Sequence, residues 1–298
     1  MDAKPFVKWA GGKRGLLKTL DELLPANFLN MPNVTYIEPF VGGGAMLFHM
    51  LTKYKNIRRA VINDINPDLI HCYQLIKSQP QVLIRHLYKL ERKYYSVSLA
   101  GRDNVYYTYR DQFNMEGINT DERAALFIFL NHTCFNGLYR VNSSGKFNVP
   151  TGRYKHPVIC NEDLIMCDHK LLKSVELVIL DAGDYKRTST RISTKHPNFI
   201  YFDPPYRPIT ETSNNFKDYS ASPFGDAQQE ELKLFCDEMN KKGCKFMLSN
   251  SDSKDNAGES YFENLYQGYN FKRISAPRYI NAFVEKRLRL KEIVVRNY

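Results

Sequence analysis

The residues best suited to chemistry stand together in one short segment, Asn198-Phe-Ile-Tyr-Phe-Asp-Pro-Pro-Tyr206. Its apolar run predicts a buried strand that delivers Asp203 to the carboxyl end, where parallel sheets bind their ligands. The Asp203 carboxylate and the Pro204 carbonyl are hydrogen-bond acceptors, and the Tyr206 ring can stack on a planar group. This set suits an exocyclic aromatic amine, whose hydrogens must be held while a methyl donor is placed in line. The candidate catalytic residues are Asp203, Pro204, Pro205 and Tyr206.

A second candidate site follows an earlier strand, in Ile37-Glu-Pro-Phe-Val-Gly-Gly-Gly44. Glycines between a strand and a helix let a ligand lie close to the backbone. Asp64 ends the next strand about twenty residues later, where a carboxylate can accept hydrogen bonds from ribose hydroxyls. This spacing fits an adenosine-bearing cofactor. A dinucleotide is disfavoured because Leu47 stands where the third glycine is needed, and Gly11-Gly-Lys13 does not complete a phosphate-binding loop.

The elements that position these sites alternate between strand and helix, which predicts a parallel sheet. Strands are predicted at 34–38, 59–63, 176–180, 198–202 and 244–249, helices at 12–24, 45–54 and 226–243, and an antiparallel pair at 271–276 and 289–295. The last of those helices is expected to start with a capping box of Asp226 and Gln229. From residue 75 to 131 apolar residues recur at helical spacing, and a β-hairpin is predicted over 139–149. The expected fold is therefore α/β, with residues 75–160 inserted into a sheet domain of residues 1–74 and 161–298.

The composition is that of a basic globular protein rather than a disordered or membrane-spanning chain. The 298 residues carry 42 lysines and arginines against 32 acidic residues, a net charge of +10 that favours an anionic partner such as nucleic acid. No apolar run is long enough to span a membrane, and no signal peptide is recognisable at the start. The six cysteines are spread singly without zinc spacing, so reduced thiols in the cytoplasm are expected and no metal site is predicted.

Six motifs together resemble the Dam-type DNA adenine-N6 methyltransferases over nearly the whole chain. They are Lys8-Trp-Ala-Gly-Gly-Lys13, Glu38-Pro-Phe-Val-Gly-Gly-Gly44, Asn63-Asp-Ile-Asn66, Phe135-Asn-Gly-Leu-Tyr-Arg140, Lys146-Phe-Asn-Val-Pro-Thr-Gly-Arg-Tyr154 and Asp203-Pro-Pro-Tyr206. The resemblance implies a Rossmann-like class I methyltransferase sheet with an inserted target-recognition domain. It also implies S-adenosylmethionine as the methyl donor and double-stranded DNA as the partner, with the target adenine flipped out of the duplex.

The resemblance implies a role for each matching residue. The cofactor-binding set is Trp9, Lys13, Phe40, Gly42, Gly44, Asp64, Asp184, Tyr185 and Asp203, in which Asp184 and Tyr185 would frame the cofactor adenine. The DNA-binding set is Lys8, Phe135, Asn136, Leu138, Arg140, Pro150 and Arg153. An arginine on a hairpin is suited to a bidentate contact with guanine, so Arg140 is expected to read one. The match makes a GATC-like recognition site the expectation.

Two alternatives stay open from the sequence: methylation of adenine in RNA, and a DNA-binding module that has lost catalysis. A monomer is expected, and a cognate restriction endonuclease is an open partner. Two further segments carry predictions. The polar segment 207–224 is expected to be a loop that closes over an extruded base. The basic residues Arg278, Lys286, Arg287, Arg289 and Lys291 are expected either to follow DNA phosphates or to protect a sheet edge.

Overall fold

The computed structural model describes residues 2–208, 224–255, 258–276 and 290–298, which form a seven-stranded sheet with helices packed against it. The strands are β1 (Val34–Glu38), β2 (Ile57–Ile62), β3 (Glu176–Ile179), β4 (Asn198–Phe202), β5 (Lys245–Ser251), β6 (Asn270–Ala276) and β7 (Leu290–Arg296). Their order is β3-β2-β1-β4-β5-β7-β6. Strands β1 to β5 pair in parallel, and β7 is antiparallel to both of its neighbours. The expected Rossmann-like α/β sheet is confirmed, and so is the antiparallel pair at one edge of the sheet, in which β6 is the outermost strand.

Helices connect the parallel strands and build the inserted segment. They are α1 (Leu17–Glu22), α2 (Ala45–Lys53), α3 (Pro67–Ser78), α4 (Pro80–Tyr95), α5 (Arg102–Phe113), α6 (Thr120–Thr133), α7 (Glu162–Lys173), α8 (Asp226–Lys241) and α9 (Tyr261–Leu265). Strands β1 and β4 are buried at every position, as central parallel strands are when both faces are covered. None of the helices within these residue ranges is long and apolar enough to cross a lipid bilayer.

The inserted segment is built around α6, which is buried on all sides from Ala124 to Asn131. Helices α4 and α5 pack against α6, and α6 packs against α3, so that one hydrophobic cluster continues from the sheet into the segment. Helix α3 runs through the predicted boundary between residues 74 and 75. The division of the chain into 1–74 with 161–298 and 75–160 stays a prediction.

Three local predictions are corrected. The expected helix over 12–24 is a short 3-10 turn (Lys13–Gly15) followed by α1, because the Lys13 side chain turns inward to Asp203. The expected capping box is displaced by one residue, since Gly225 is the N-cap and its N–H donates to Gln228 Oε1 at 2.9 Å.

The predicted hairpin over 139–149 turns as expected but forms a single antiparallel bridge, Val141 with Phe147, instead of two strands. Across this bridge the N–H of Asn142 donates to the carbonyl of Lys146 at 2.9 Å, and the N–H of Asn148 donates to the carbonyl of Arg140 at 3.1 Å. The N–H and carbonyl of Phe147 face away from Val141 and pair with the side chain of Asn114, at 2.8 Å and 3.0 Å. Asn114, the C-cap of α5, thus holds the outer side of the turn.

Two predictions fall largely outside the part of the chain that the structure describes. Of the polar loop 207–224, residues 209–223 lie outside it, and so do Arg278, Lys286, Arg287 and Arg289 of the basic run. Lys291 is described, and it is exposed on β7.

Candidate active site

The candidate catalytic segment begins where β4 ends, at the same edge of the sheet as the glycine-rich loop after β1. Strands β1 and β4 are direct neighbours, with Ile37 paired to Ile200. Lys13, whose side chain is only 5% exposed, places Nζ 3.0 Å from Asp203 Oδ1 and donates to the carbonyl of Gly11 at 2.7 Å. The short 3-10 turn at the start of the chain is therefore tied by an ion pair to the end of β4.

Burial dominates the electrostatics of this edge. It raises the pKa of Asp203, while the nearby Lys13 ammonium and the Tyr206 hydroxyl act in the opposite direction. Burial also raises the pKa of Glu38, which accepts the hydroxyl of Tyr36 at 2.8 Å, and that of Glu292 on β7. Glu38 is buried, Asp203 and Glu292 are half-buried, and Lys13 acts to lower the pKa of the latter two.

Tyr206 is held at both ends of its side chain. Its ring centroid lies 4.5 Å from Lys13 Nζ, within the range of a cation–π contact. Its hydroxyl donates to Glu292 Oε2 at 2.8 Å. The loop backbone is held as well, because Gln229 Nε2 donates to the carbonyl of Pro205 at 3.1 Å. Gln229 therefore serves the Asp-Pro-Pro-Tyr loop rather than the start of α8.

Asp64 links the end of β2 to the glycine-rich loop. One carboxylate oxygen accepts the N–H of Gly42 and the other accepts the N–H of Asn66, each at 2.9 Å. Burial raises the pKa of Asp64, and these backbone bonds act in the opposite direction. Each oxygen retains a lone pair that could accept a hydroxyl of a ligand.

The glycines of this loop are packed against protein, which differs from the expectation that their missing side chains leave room for a ligand. Gly44 has φ +75°, and a Cβ there would lie 2.4 Å from the Tyr73 hydroxyl. A Cβ on Gly42, at φ +48°, would lie 2.7 Å from the Trp9 ring. The glycines thus allow a left-handed turn to pack beneath Trp9 and Tyr73.

An apolar wall stands beside the glycine-rich loop. The rings of Phe40 and Tyr185 lie 5.0 Å apart between centroids, and Phe224 meets Phe40 edge-on at 5.9 Å. The buried Tyr185 hydroxyl has no hydrogen-bond partner among the described residues. Asp184 is exposed, and its Oδ1 accepts the N–H of Lys186, which starts the 3-10 helix that carries Tyr185.

The residues expected to contact DNA fall into an exposed group and a half-buried group. Phe135 is 51% exposed, and Asn136, Pro150 and Arg153 are also exposed. Two of them adopt left-handed backbone conformations, Asn136 at φ +55° and Arg153 at φ +51°. Leu138 and Arg140 are half-buried, and Arg140 Nε donates to Asn148 Oδ1 at 2.8 Å.

Lys8, together with the next residue, joins this group to the glycine-rich loop after β1. Its Nζ lies 4.7 Å from the centroid of Tyr154, and its side chain fills the space where a Cβ of Gly137 would stand. The next residue, Trp9, stacks on Tyr139 with centroids 5.8 Å apart. An open pocket of about 490 Å³ adjoins Lys8 and is lined by Lys8, His132, Tyr154, Lys155, His156, Pro157 and Val158, a set without an acidic side chain.

With this geometry in place, comparison with known proteins decides the family. The sequence profile of the D12 class N6 adenine-specific DNA methyltransferases matches residues 9–280. The chain belongs to that family.

Relatives match over nearly the full length of this D12 class methyltransferase. It is 42% identical to the type II methyltransferase M.MjaIII of Methanocaldococcus jannaschii, over all of both chains. It is 36% identical to the type II methyltransferase M1.LlaDCHI of Lactococcus lactis subsp. cremoris, over 100% of this chain and 96% of the relative. It is 34% identical to the DNA adenine methylase of Haemophilus influenzae, over 98% and 92% of the two chains.

Several residues that shape the site of this D12 class member escaped sequence reasoning. Asn131, which is buried on α6, accepts the N–H of Lys8 at 2.7 Å and donates to the carbonyls of Lys8 at 2.8 Å and Gly137 at 2.9 Å. An asparagine inside the apolar run of α6 was the available signal. Glu292 offered only a charge within an apolar strand, and Tyr73 offered nothing that distinguishes it from other core aromatics.

Within the described ranges, no group of three or more histidine, cysteine, aspartate or glutamate side chains is placed to hold a metal ion.

Proposed function

We propose that this chain transfers a methyl group from S-adenosylmethionine to N6 of adenine in duplex DNA, at a GATC-like site and by base flipping. The observation that carries the proposal is the cluster of Lys13, Asp203 and Tyr206 at the end of β4, directly beside the glycine-rich loop after β1. Acceptors, an aromatic ring and a second loop able to present a methyl donor meet at one edge of the sheet.

The residues beside the glycine-rich loop fit S-adenosylmethionine, which when bound supplies a methyl group on a positively charged sulfonium. Asp64 offers free lone pairs to ribose hydroxyls, and the Phe40 and Tyr185 rings offer a wall to adenine, with the Tyr185 hydroxyl still unpartnered in the described part of the chain. We assign the cofactor to Trp9, Lys13, Phe40, Gly42, Gly44, Asp64, Asp184, Tyr185 and Asp203.

The catalytic residues act on the amine. An exocyclic aromatic amine is a poor nucleophile, so the Asp203 carboxylate and the Pro204 carbonyl hold its two hydrogens and fix the direction of its attack. The amine nitrogen would form a bond to the methyl group as the bond between that methyl and the sulfonium sulfur breaks, so that the donor leaves as S-adenosylhomocysteine, and the nitrogen would lose one proton, which the Asp203 carboxylate is placed to accept. Tyr206 stacks on the ring of the extruded base, and Pro205 fixes the turn between them.

The exposed group on the inserted segment faces the duplex in this proposal. Phe135 and Asn136 fill the space that the flipped adenine leaves, and the terminal nitrogens of Arg140 read guanine while Nε stays on Asn148. Leu138 and Pro150 pack on a thymine methyl, and Lys8 and Arg153 complete the contact. The pocket lined by Lys8 and Lys155 adds positive charge for DNA phosphates.

Transfer of tritiated methyl groups tests the proposal. The wild-type protein is given S-adenosylmethionine with a duplex that contains GATC, with a duplex that lacks it, with single-stranded RNA, and with no acceptor. We expect label on the first duplex only. Asp203→Asn keeps the volume of the side chain but removes its charge, and we expect it to lower kcat by a factor of about 100 or more. Asp163→Asn, an exposed change on α7, is the matched control and should leave kcat unchanged.

Label on RNA instead of DNA would contradict the choice of substrate, and no label on any acceptor would contradict the assignment as an active enzyme. Activity of Asp203→Asn equal to that of the control would contradict the role of Asp203. Because two relatives are named type II methyltransferases, we include a restriction–modification setting with a cognate endonuclease as partner. The enzyme is proposed to act in the cytoplasm as a monomer.

A further inference from the structure

One acidic side chain reaches the catalytic loop from a strand that none of the recognisable motifs includes. Glu292 lies on β7, where its backbone partners are Ser251 on β5 and Ile274 on β6. Its Oε2 accepts the hydroxyl of Tyr206 at 2.8 Å. We propose that Glu292 is a positioning residue that holds the Tyr206 ring in the orientation needed to stack on the flipped adenine. The proposal rests on the proposed function.

The hydrogen bonds of the neighbouring Arg207 hold the backbone of the loop, whereas Glu292 holds the Tyr206 side chain. Arg207, the next residue after Tyr206, donates its N–H to Asn250 Oδ1 at 3.1 Å and accepts the Ser251 hydroxyl at 2.5 Å. Those two bonds fix the backbone of the loop to β5. They do not involve the Tyr206 side chain, whose hydroxyl is bound to Glu292 and whose ring face lies against Lys13.

The charges around the pair keep the hydrogen bond in one direction. The pKa of Tyr206 is raised well above its usual value, first by burial and then by the nearby Asp203 and Glu292 carboxylates. The hydroxyl therefore stays protonated and donates. Burial raises the pKa of Glu292, whereas Lys13 and the Tyr206 hydroxyl act in the opposite direction.

Lys13 lies beside both of the side chains proposed to act on the adenine, Asp203 and Tyr206. Its ammonium lies 3.0 Å from the Asp203 carboxylate and 4.5 Å from the centroid of the Tyr206 ring. The ring is thus held between a cation at its face and a carboxylate at its hydroxyl. If the hydroxyl loses Glu292, Lys13 and the nearby Asp203 carboxylate remain on one side of the ring, and the far end of the ring loses the contact that fixes it against β7.

Four variants test the proposal: Glu292→Leu, which removes the acceptor; Glu292→Gln, which keeps one; Tyr206→Phe, which removes the donor but keeps the ring; and the double variant of Glu292→Leu with Tyr206→Phe. Glu176→Leu is the matched control. Glu176 is a glutamate on β3 that is 69% exposed, and four strands separate β3 from β7 in the sheet. Each protein is assayed for kcat and for KM toward a duplex that contains GATC. Each is also bound to the same duplex with 2-aminopurine in place of the target adenine, whose fluorescence is quenched by stacking.

We expect Glu292→Leu to lower kcat by a factor of about 10 to 100, because the Tyr206 hydroxyl loses this acceptor, with KM for DNA within about threefold of wild type. The 2-aminopurine signal should rise because the flipped base stacks less well. Tyr206→Phe should reproduce both effects, the double variant should be no worse than either single change, and Glu292→Gln should stay within about fivefold of wild type.

Wild-type kcat in Glu292→Leu or in Tyr206→Phe would overturn the proposal, and so would losses that multiply in the double variant. If Glu292→Leu does not fold, Glu292→Gln and Tyr206→Phe still test the proposal. In that case, an unchanged 2-aminopurine signal together with an unchanged kcat in Tyr206→Phe is enough to overturn it. Failure of the wild-type protein to methylate any duplex would instead overturn the proposed function.

Discussion

A fully buried carboxyl on α7 makes the stability of this protein depend on pH. Asp168 is 0% exposed, and its Oδ1 accepts the backbone N–H of Lys4 at 3.0 Å. Its Oδ2 has no hydrogen-bond partner within the described residues. Burial raises the pKa of Asp168 from the ordinary 3.8 to about 8. The perturbation is Asp168→Asn, which keeps the shape of the side chain and the acceptor for Lys4 and stays neutral at every pH.

The sign follows from where the proton is bound. Between pH 3.8 and 8 the folded wild-type protein holds a proton on Asp168 that the unfolded chain releases. The contribution of Asp168 to the free energy of unfolding of the wild-type protein is therefore most favourable below pH 4, and it is lost as the pH rises through 8. At about 1.4 kcal/mol for each pH unit, the free energy of unfolding of Asp168→Asn should exceed that of wild type by nearly nothing at pH 4, by about 3 kcal/mol at pH 6 and by about 5 to 6 kcal/mol above pH 8. The new amide brings two unpartnered N–H groups where the acid has one unpartnered O–H, and this costs about 1 to 3 kcal/mol at every pH, which lowers all of these differences by the same amount.

Urea unfolding at pH 5, 6, 7 and 8.5 measures this difference for wild type, Asp168→Asn and the control Asp163→Asn, which lies on the exposed side of the same helix. Differences between proteins at one pH cancel the titration of every other group. The reasoning fails if the gap between wild type and Asp168→Asn does not grow with pH, or if wild type is the more stable protein at pH 8.5.

Three further predictions concern the site. Gly44→Ala should lower the free energy of unfolding by about 2 kcal/mol or more, because it puts an alanine in a left-handed backbone conformation with its Cβ against the Tyr73 hydroxyl. In urea unfolding, the double variant with Tyr73→Phe should recover part of this loss. An unchanged free energy of unfolding in Gly44→Ala would contradict the packing. Asp64→Ala should raise the Kd for S-adenosylmethionine about tenfold or more in calorimetry while DNA affinity stays the same, and an unchanged cofactor Kd would refute the ribose contact. Arg140→Ala should weaken binding to a GATC duplex by about 1 to 3 kcal/mol and to a duplex with the guanine replaced by much less; equal losses with a changed salt slope would show that Arg140 binds phosphate.

Features of the site that follow from a local pattern were predictable, and features that depend on distant elements were not. The strand before Asp203 and its neighbour before the glycine-rich loop were found, because a continuous apolar run is typical of a buried parallel strand. The contact between Glu292 and Tyr206 depends on β7 entering the sheet between β5 and β6, which no local pattern indicates. The bonds between the 139–149 turn and Asn114 depend on the C-cap of α5, which no pattern within the turn indicates.

The three hydrogen bonds of Asn131 also bear on how a protein of this kind could change its target sequence. Under the proposed function, exchange of the segment between α3 and α7 with that of another enzyme is expected to transfer recognition of the DNA sequence. However, Asn131 and Gly137 fit the backbone and side chain of Lys8, which belongs to the start of the chain. A hybrid that inherits the segment without its matching Lys8 and Trp9 would lose this fit between the inserted segment and the residues that precede the first strand. Productive recombination should therefore need two pieces of sequence to travel together, which favours gradual divergence of specificity over its exchange in one event.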